Sequence, residues 1–246
     1  MIEIIRGKIE ESLSKNFCCS VEDLNGKSIV YTVNDNEKTY IKILAYRNCV
    51  VICTSENLHA YVQELLQNKN RDEIFELPFV YGQTIHYVPD GIYTNNVTIS
   101  QNYEYEFLEN IEISFLAGLK GFDNSLSFDE NDSTSTKAVY IAKYMNEIVG
   151  VAGAAESFVK DVWEIGVDVK EEHRKSRLGT YLVRNLTEKL LDRNIVPFYS
   201  ASVTNIGSQM VASRCDYIPF WVDTYGTILD GSSVYNDIVR GLTLKL

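Results

Sequence analysis

The stretch from Trp163 to Leu191, WEIGVDVKEEHRKSRLGTYLVRNLTEKLL, most narrows what this chain can fold into. It begins as a β-branched run ending at Val169, passes through a basic loop, and continues as an amphipathic helix from about Leu178. Leu178, Leu182, Leu186 and Leu190 form one apolar stripe on that helix. The first-turn N–H groups of such a helix have no intrahelical partners and carry a partial positive charge. Successive N–H groups in the preceding loop add an anion-binding concavity. The phosphates of a nucleotide or coenzyme suit that arrangement. From Lys170 to Arg193 there are seven basic residues (Lys170, Arg174, Lys175, Arg177, Arg184, Lys189, Arg193) against four acidic ones (Glu171, Glu172, Glu188, Asp192). This basic segment sits in a chain of net charge −11, so it reads either as an anion site or as a solvated helix face.

Around this stretch the pattern alternates between strands and helices. Ile2, Ile5, Ile9 and Leu13 recur at helical spacing. Strand-like runs follow at 28–33, 39–46 and 49–55, separated by turns such as Asn34-Asp35-Asn36. Ser55 is placed to cap a helix from Glu56 to about Gln67, and a shorter helix is expected over Arg71–Glu76 before Pro78. Beyond the turn at Pro89-Asp90-Gly91 the sequence becomes polar and turn-prone as far as Gln101. That stretch sets a boundary between a region 1–100 and a domain 101–246. In the latter, a strand is expected at 103–108, a helix in IEISFLAGLKGF, and a surface loop over Asp123–Lys137. A hairpin turning at Met145-Asn146-Glu147, a strand at 161–169, the helix from Leu178 and a strand at 198–203 come next. A helix over about Asn205–Arg214 and the strands YIPFWV and TYGTIL finish the chain.

Composition excludes several classes. Net negative charge argues against nucleic acid, whose phosphates demand clustered Lys and Arg; it suits a cationic or amine-bearing substrate. No apolar run approaches the roughly 20 residues of a membrane span. The charged N-terminus does not match a signal peptide, so a cytoplasmic location is expected. Five cysteines, Cys18, Cys19, Cys49, Cys53 and Cys215, form an odd set with no second ligand pair at zinc-site spacing. They read as reduced, mostly buried small hydrophobes, and no metal is expected.

The loop and helix start resemble the GNAT acetyltransferase superfamily, whose signature R/Q-x-x-G-x-G/A opens a long helix after a strand. Arg174, Leu178 and Gly179 match it, with Val169 five residues ahead. VPFYSASVTNIGSQMVASRCDYIPFW looks like the family's following strand and helix, with Asn205 and Ser208 at the helix start. The resemblance runs from about Tyr103 to the C-terminus. SVEDLNGKSIVYTV and RDEIFELPFVYGQTIHYVPD are similar to the N-terminal region of a clostridial and bacillar subfamily. The implied fold is α+β: a mixed, mostly antiparallel GNAT-type sheet flanked by helices, with a smaller N-terminal α/β region. Residues 1–100 are open to three roles: shaping the acceptor site, a homodimer contact, or buttressing the sheet.

The implied activity is transfer of the acetyl group of acetyl-CoA, as cosubstrate, to a primary amine of a small molecule by direct attack with general-base help. The resemblance places the cofactor on Val167, Asp168 and Val169, on Arg174, Lys175, Ser176, Arg177, Leu178, Gly179 and Thr180, and on Asn205 and Ser208. Acyl transfer needs a base for the amine and a donor for the departing thiolate. Glu164 is the first candidate base, because burial in an apolar strand would raise its pKa. Asp168 shares its face, and Glu156 is third. Ser208, Tyr199 and Tyr217 are candidates on the thiol side, and His173 reads as a packing residue. Two positions depart from the family pattern. Arg177 stands where a glycine is usual, and Ala212 where many members place a thiol-protonating tyrosine. Both keep alive the alternative of a catalytically inactive CoA-binding sensor or scaffold.

Overall fold

The computed structural model describes residues 2–35, 40–77, 80, 82–91, 99, 102–157, 159–224 and 227–228. Their elements, in chain order, are α1 (Ile2–Asn16), α2 (Val21–Leu24), β1 (Ile29–Asn34), β2 (Tyr40–Tyr46), β3 (Cys49–Ser55), α3 (Glu56–Leu66), α4 (Arg71–Phe75), β4 (Thr84–Pro89), β5 (Glu104–Glu109), β6 (Thr136–Tyr144), β7 (Glu147–Glu156), β8 (Val162–Val169), α5 (Leu178–Leu191), β9 (Val196–Ser202), α6 (Ile206–Arg214), β10 (Tyr217–Asp223) and β11 (Thr227–Ile228). Two compact units result. One joins Met1–Ile9 to Tyr87–Pro219, and the other joins Glu10–His86 to the described part of Phe220–Leu246. The expected boundary at 100/101 lies among residues 92–98 and 100–101, outside the described set, as do Asn36, Pro78 and half of TYGTIL (225, 226 and 229).

In the first unit β5, β6, β7 and β8 pair antiparallel in order, and β9 pairs parallel with β8. The fold is thus mixed α and β, with a mostly antiparallel sheet flanked by helices. The β6–β7 hairpin closes on Met145 and Asn146, both at positive φ (50° and 65°), the tight two-residue turn that matches strand twist. Helix α5 lies on one face of the sheet and buries Leu178, Leu182, Leu186 and Leu190, the stripe read from the sequence. Gly150 of β7 makes room for it, since a Cβ there would come within 2.8 Å of Leu182 Cδ1.

The other face is covered by residues 110–126. The expected helix in IEISFLAGLKGF is instead a 3₁₀ helix over Asn110–Leu116. Gly118 and Gly121, at φ 82° and 84°, turn the chain back onto the sheet. Ile113, Leu116, Phe122 and Leu126 pack there against Val139, Ile141 and Val151. The surface loop expected over Asp123–Lys137 therefore needs correction at both ends, because Ser125, Leu126 and Thr136 are buried.

Strands β1, β2, β3 and β11 belong to the second unit. β1 pairs parallel with β3, β3 antiparallel with β2, and β2 antiparallel with β11 and with Trp221–Asp223 of β10. Helix α3 packs Val62 and Leu66 onto Ile41, Ile43, Val50 and Ile52. Ser55 occupies the N-cap position of α3, but its side chain makes no cap hydrogen bond. Its hydroxyl donates to Asn57 Oδ1 (2.6 Å) and accepts from Tyr40 N (2.9 Å).

Gly153 and Gly166 face each other across β7 and β8. A Cβ on Gly153 would lie 1.7 Å from the Ser125 carbonyl oxygen, and one on Gly166 1.8 Å from that of Asn124. Gly166→Ala is therefore expected to lower unfolding free energy by about 3 kcal/mol in a urea titration, since backbone must move. Gly179→Ala, whose Cβ would make only ordinary contacts with the Cγ2 atoms of Val169, Val167 and Val211 at 3.6, 3.8 and 4.0 Å, serves as the tolerated control.

Candidate active site

Two features meet at the end of β8. The parallel ladder between β8 and β9 runs from Val162–Val196 to Ile165–Tyr199 and stops, while β8 stays paired to β7 as far as Val169. Residues 166–169 thus border an opening between two diverging strands, with one edge of their backbone not engaged by β9. Five residues beyond Val169 the basic loop begins to turn into α5. Arg177, its N-cap, provides no side-chain cap, so the N–H groups of Leu178, Gly179 and Thr180 are left to solvent or a ligand. An electron-rich group placed there would meet oriented donors and the positive end of a 14-residue helix.

The loop is held in shape from within. Arg174 Nε donates to Val169 O (2.9 Å), and Ser176 Oγ donates to His173 O (2.6 Å). The His173 ring packs against Tyr103 and Tyr144, and its Nδ1 lies 3.0 Å from the Tyr103 hydroxyl, which fits its expected packing role. Lys175 and Arg177 both take left-handed backbone, at φ 62° and 67°. Arg177 thus occupies the conformation that glycine adopts freely, at a cost of roughly 1–2 kcal/mol. Lys175 and Arg177 are exposed. The side of Gly179 that would carry a Cβ points toward Val167, Val169 and Val211 of β8 and α6. A methyl there would make ordinary contacts with those side chains, and a larger substituent would press on their packing.

The carboxylates sort differently from expectation. Glu164 is exposed, so the burial on which its choice rested is absent. It lies on the face of β8 that carries the 122–126 turn, as do Gly166 and Asp168. Asp168 is half-buried and committed: it accepts from Asn124 N and Nδ2 (2.9 and 2.6 Å) and from Ser125 N and Oγ (both 2.9 Å). Glu156 ends β7 and is exposed. Sequence reasoning missed Asn124 and Ser125. The available signal was a pair of glycines interrupting two otherwise apolar strands.

On the thiol side, Asn205 Oδ1 caps α6 by accepting from Ser208 N (3.1 Å). Tyr199, almost fully buried, is pushed up to about 12 by burial, partly offset by its hydrogen bond with Ser208. Its phenol is therefore protonated at neutral pH and able to donate. The Tyr217 hydroxyl lies 2.7 Å from Thr187 Oγ1, away from this role. Ala212 is fully buried. Cys215, whose Sγ donates to Thr180 O (3.3 Å), ties α6 to the first turn of α5; burial lifts its thiol to about 12. All five cysteines are free, and Cys18 is exposed rather than buried. Among the described residues no cluster of three or more His, Cys, Asp or Glu is placed to hold a metal, and no helix is long and apolar enough to cross a membrane.

Asp168→Asn exchanges an acceptor for an amide facing donors. We expect it to cost about 2 kcal/mol in chemical denaturation and to speed amide exchange at Asn124 and Ser125.

Comparison with known proteins bears on the same segment. Residues 105–217 match the family model described as Acetyltransferase (GNAT) family. No curated protein matches the sequence. Among solved structures, a protein from Novosphingobium aromaticivorans assigned to the GNAT acetyltransferases is 14% identical, with 58% of this chain and 63% of that one covered and a TM-score of 0.45. A GCN5-related N-acetyltransferase-like protein from Streptococcus suis is also 14% identical, covering 72% and 71%, with a TM-score of 0.44. A Bacillus subtilis acetyltransferase in complex with CoA is 20% identical, covering 46% and 75%, with a TM-score of 0.37. The chain thus spans less than two thirds of the Novosphingobium protein's length. The family match covers residues 105–217, the segment that holds β8, the basic loop, α5, β9 and α6.

Proposed function

We propose that this chain transfers the acetyl group of acetyl-CoA to a primary amine, probed best among small molecules, and that residues 101–246 carry the chemistry. One observation supports this reading above the others: the β8–β9 ladder ends at Ile165–Tyr199, immediately ahead of a helix whose N-terminus is uncapped. The diphosphate of CoA fits the backbone of residues 174–180, where donors and helix dipole converge. Val167, Asp168 and Val169 offer main-chain groups along the opened strand, and Asn205 and Ser208 bound the other side.

Acetyl-CoA supplies a thioester carbonyl and a thiol leaving group. This chain's residues then have three tasks. The main chain of 167–169 orients and polarises the carbonyl. Glu164, solvent-exposed on the same strand, accepts the proton of the amine, directly or through water. Ser208, in contact with the protonated Tyr199, donates toward the departing sulfur. With Tyr199 held near 12, full proton transfer from it to a thiolate is uphill, so a hydrogen bond is the better description of its part.

A second reading, a CoA-binding module without catalysis, draws on the buried Ala212 and the exposed Glu164. The two readings separate in a thiol-release assay with acetyl-CoA and a panel of amines. Release that depends on an amine, and that falls at least about tenfold in Glu164→Gln, supports transfer; CoA binding without release at any amine supports the module. Binding itself is expected to raise the thermal midpoint by roughly 5–10 °C at about 100-fold excess over Kd.

Arg177 gives a sharper test. Its left-handed backbone makes Arg177→Gly stabilise the fold by about 1 kcal/mol, while loss of the guanidinium weakens CoA binding and flattens its salt dependence. Arg177→Ala weakens binding without the stability gain. Calorimetric titration at two ionic strengths checks both, and tighter CoA binding by Arg177→Gly with unchanged salt dependence would remove the charge from the account.

A further inference from the structure

Four of the five cysteines lie in the second unit, apart from the transferase elements. Helix α1 ends in a turn where Phe17 N donates to Leu13 O (2.9 Å) and Cys19 N donates to Ser14 O (3.0 Å). Between them Cys18 sits at φ 51°, the left-handed position that closes such a helix end and that glycine normally fills. A side chain held there against its backbone preference invites the question of what it touches. The Cys18 thiol is among the groups that raise the Cys53 thiol, so the two lie close enough to act on each other.

The two partners differ in access. Cys18 is exposed, whereas Cys53 is fully buried in the middle of β3, opposite Thr32 of β1 and Lys42 of β2. Thr32 Oγ1 donates to Phe17 O (2.6 Å), which fastens the turn bearing Cys18 to the same point of the sheet. Lys42 Nζ stands 5.2 Å from the Phe17 ring centre, and its charge favours an anionic sulfur at Cys53. The neighbouring thiols are less able to react: burial, aided by Asp23, lifts Cys19 to about 12, and Cys49 is buried and also raised.

We propose that Cys18 and Cys53 form a reversible disulfide when the chain meets a hydroperoxide, with Cys18 oxidised first. The Cys18 thiolate attacks the peroxide O–O bond; a sulfur–oxygen bond forms, and the alcohol (water, for hydrogen peroxide) leaves. The Cys53 sulfur then attacks Cys18, the S–S bond forms, the S–O bond breaks, and hydroxide departs with the Cys53 proton as water. Two electrons pass from the two thiols to one peroxide, and a dithiol reverses the change. Burial, which pushes Cys53 up to about 11, keeps it from competing for peroxide and leaves it as the resolving thiol.

The test uses the whole chain treated with about one equivalent of hydrogen peroxide, then alkylated under denaturing conditions and mapped by mass spectrometry. The expected result is a Cys18–Cys53 cross-linked peptide pair, loss of two titratable thiols, and their return with dithiothreitol. Cys53→Ala should accumulate a dimedone-reactive sulfenic acid at Cys18. Cys18→Ser, a change at an exposed turn that should not disturb folding, should slow thiol loss at least about tenfold. A cross-link through Cys19 or Cys49, peroxide consumption unchanged in Cys18→Ser, or Cys18 passing to sulfinic acid with no cross-link would each overturn the proposal.

Discussion

Strand β8 keeps its antiparallel ladder to β7 through Val169 yet gives up its parallel ladder to β9 after Ile165, and the first unit is organised around that asymmetry. A strand end released on one edge must satisfy its backbone elsewhere or leave it for a ligand. It must also be held stiffly on its other edge, or the opening would collapse. The hold comes from both faces. Helix α5 presses on one through Leu178 and Leu182 beside Gly150. On the other, the Asn124 and Ser125 carbonyls rest on Gly153 and Gly166, with Asp168 gripping the same turn. No side chain larger than hydrogen fits under those carbonyls, so the close approach depends on two cross-strand glycines.

Much of this frame could be read from the sequence because its signals are periodic. The leucine stripe of α5 and the strand run that becomes β8 follow from local spacing and composition, and each is found where expected. What escaped was decided by residues far apart in the chain. Asp168 read as one more strand carboxylate until its partners, over 40 positions away, appeared. Glu164 was expected to be buried because its neighbours are apolar, but the segment 110–126 that covers this face leaves it exposed. The 3₁₀ helix over Asn110–Leu116 shares its apolar spacing with an α-helix, and only Gly118 and Gly121 hint at where regular structure fails.

The basic loop shows how a strained backbone can serve binding. Two of its residues, Lys175 and Arg177, are left-handed, each at a cost of roughly 1–2 kcal/mol. The compensation is local: Arg174 to the Val169 carbonyl, Ser176 to the His173 carbonyl, and His173 against Tyr103 and Tyr144. These contacts are made wholly within the protein and call for no ligand atom. A loop that must be ordered on binding charges that ordering against affinity, whereas one already fixed does not. Strain met during folding is therefore absent from the binding step. On this argument glycine at position 177 would relax the backbone and loosen the loop together, and an arginine that is strained but charged is a coherent solution to holding a polyanion.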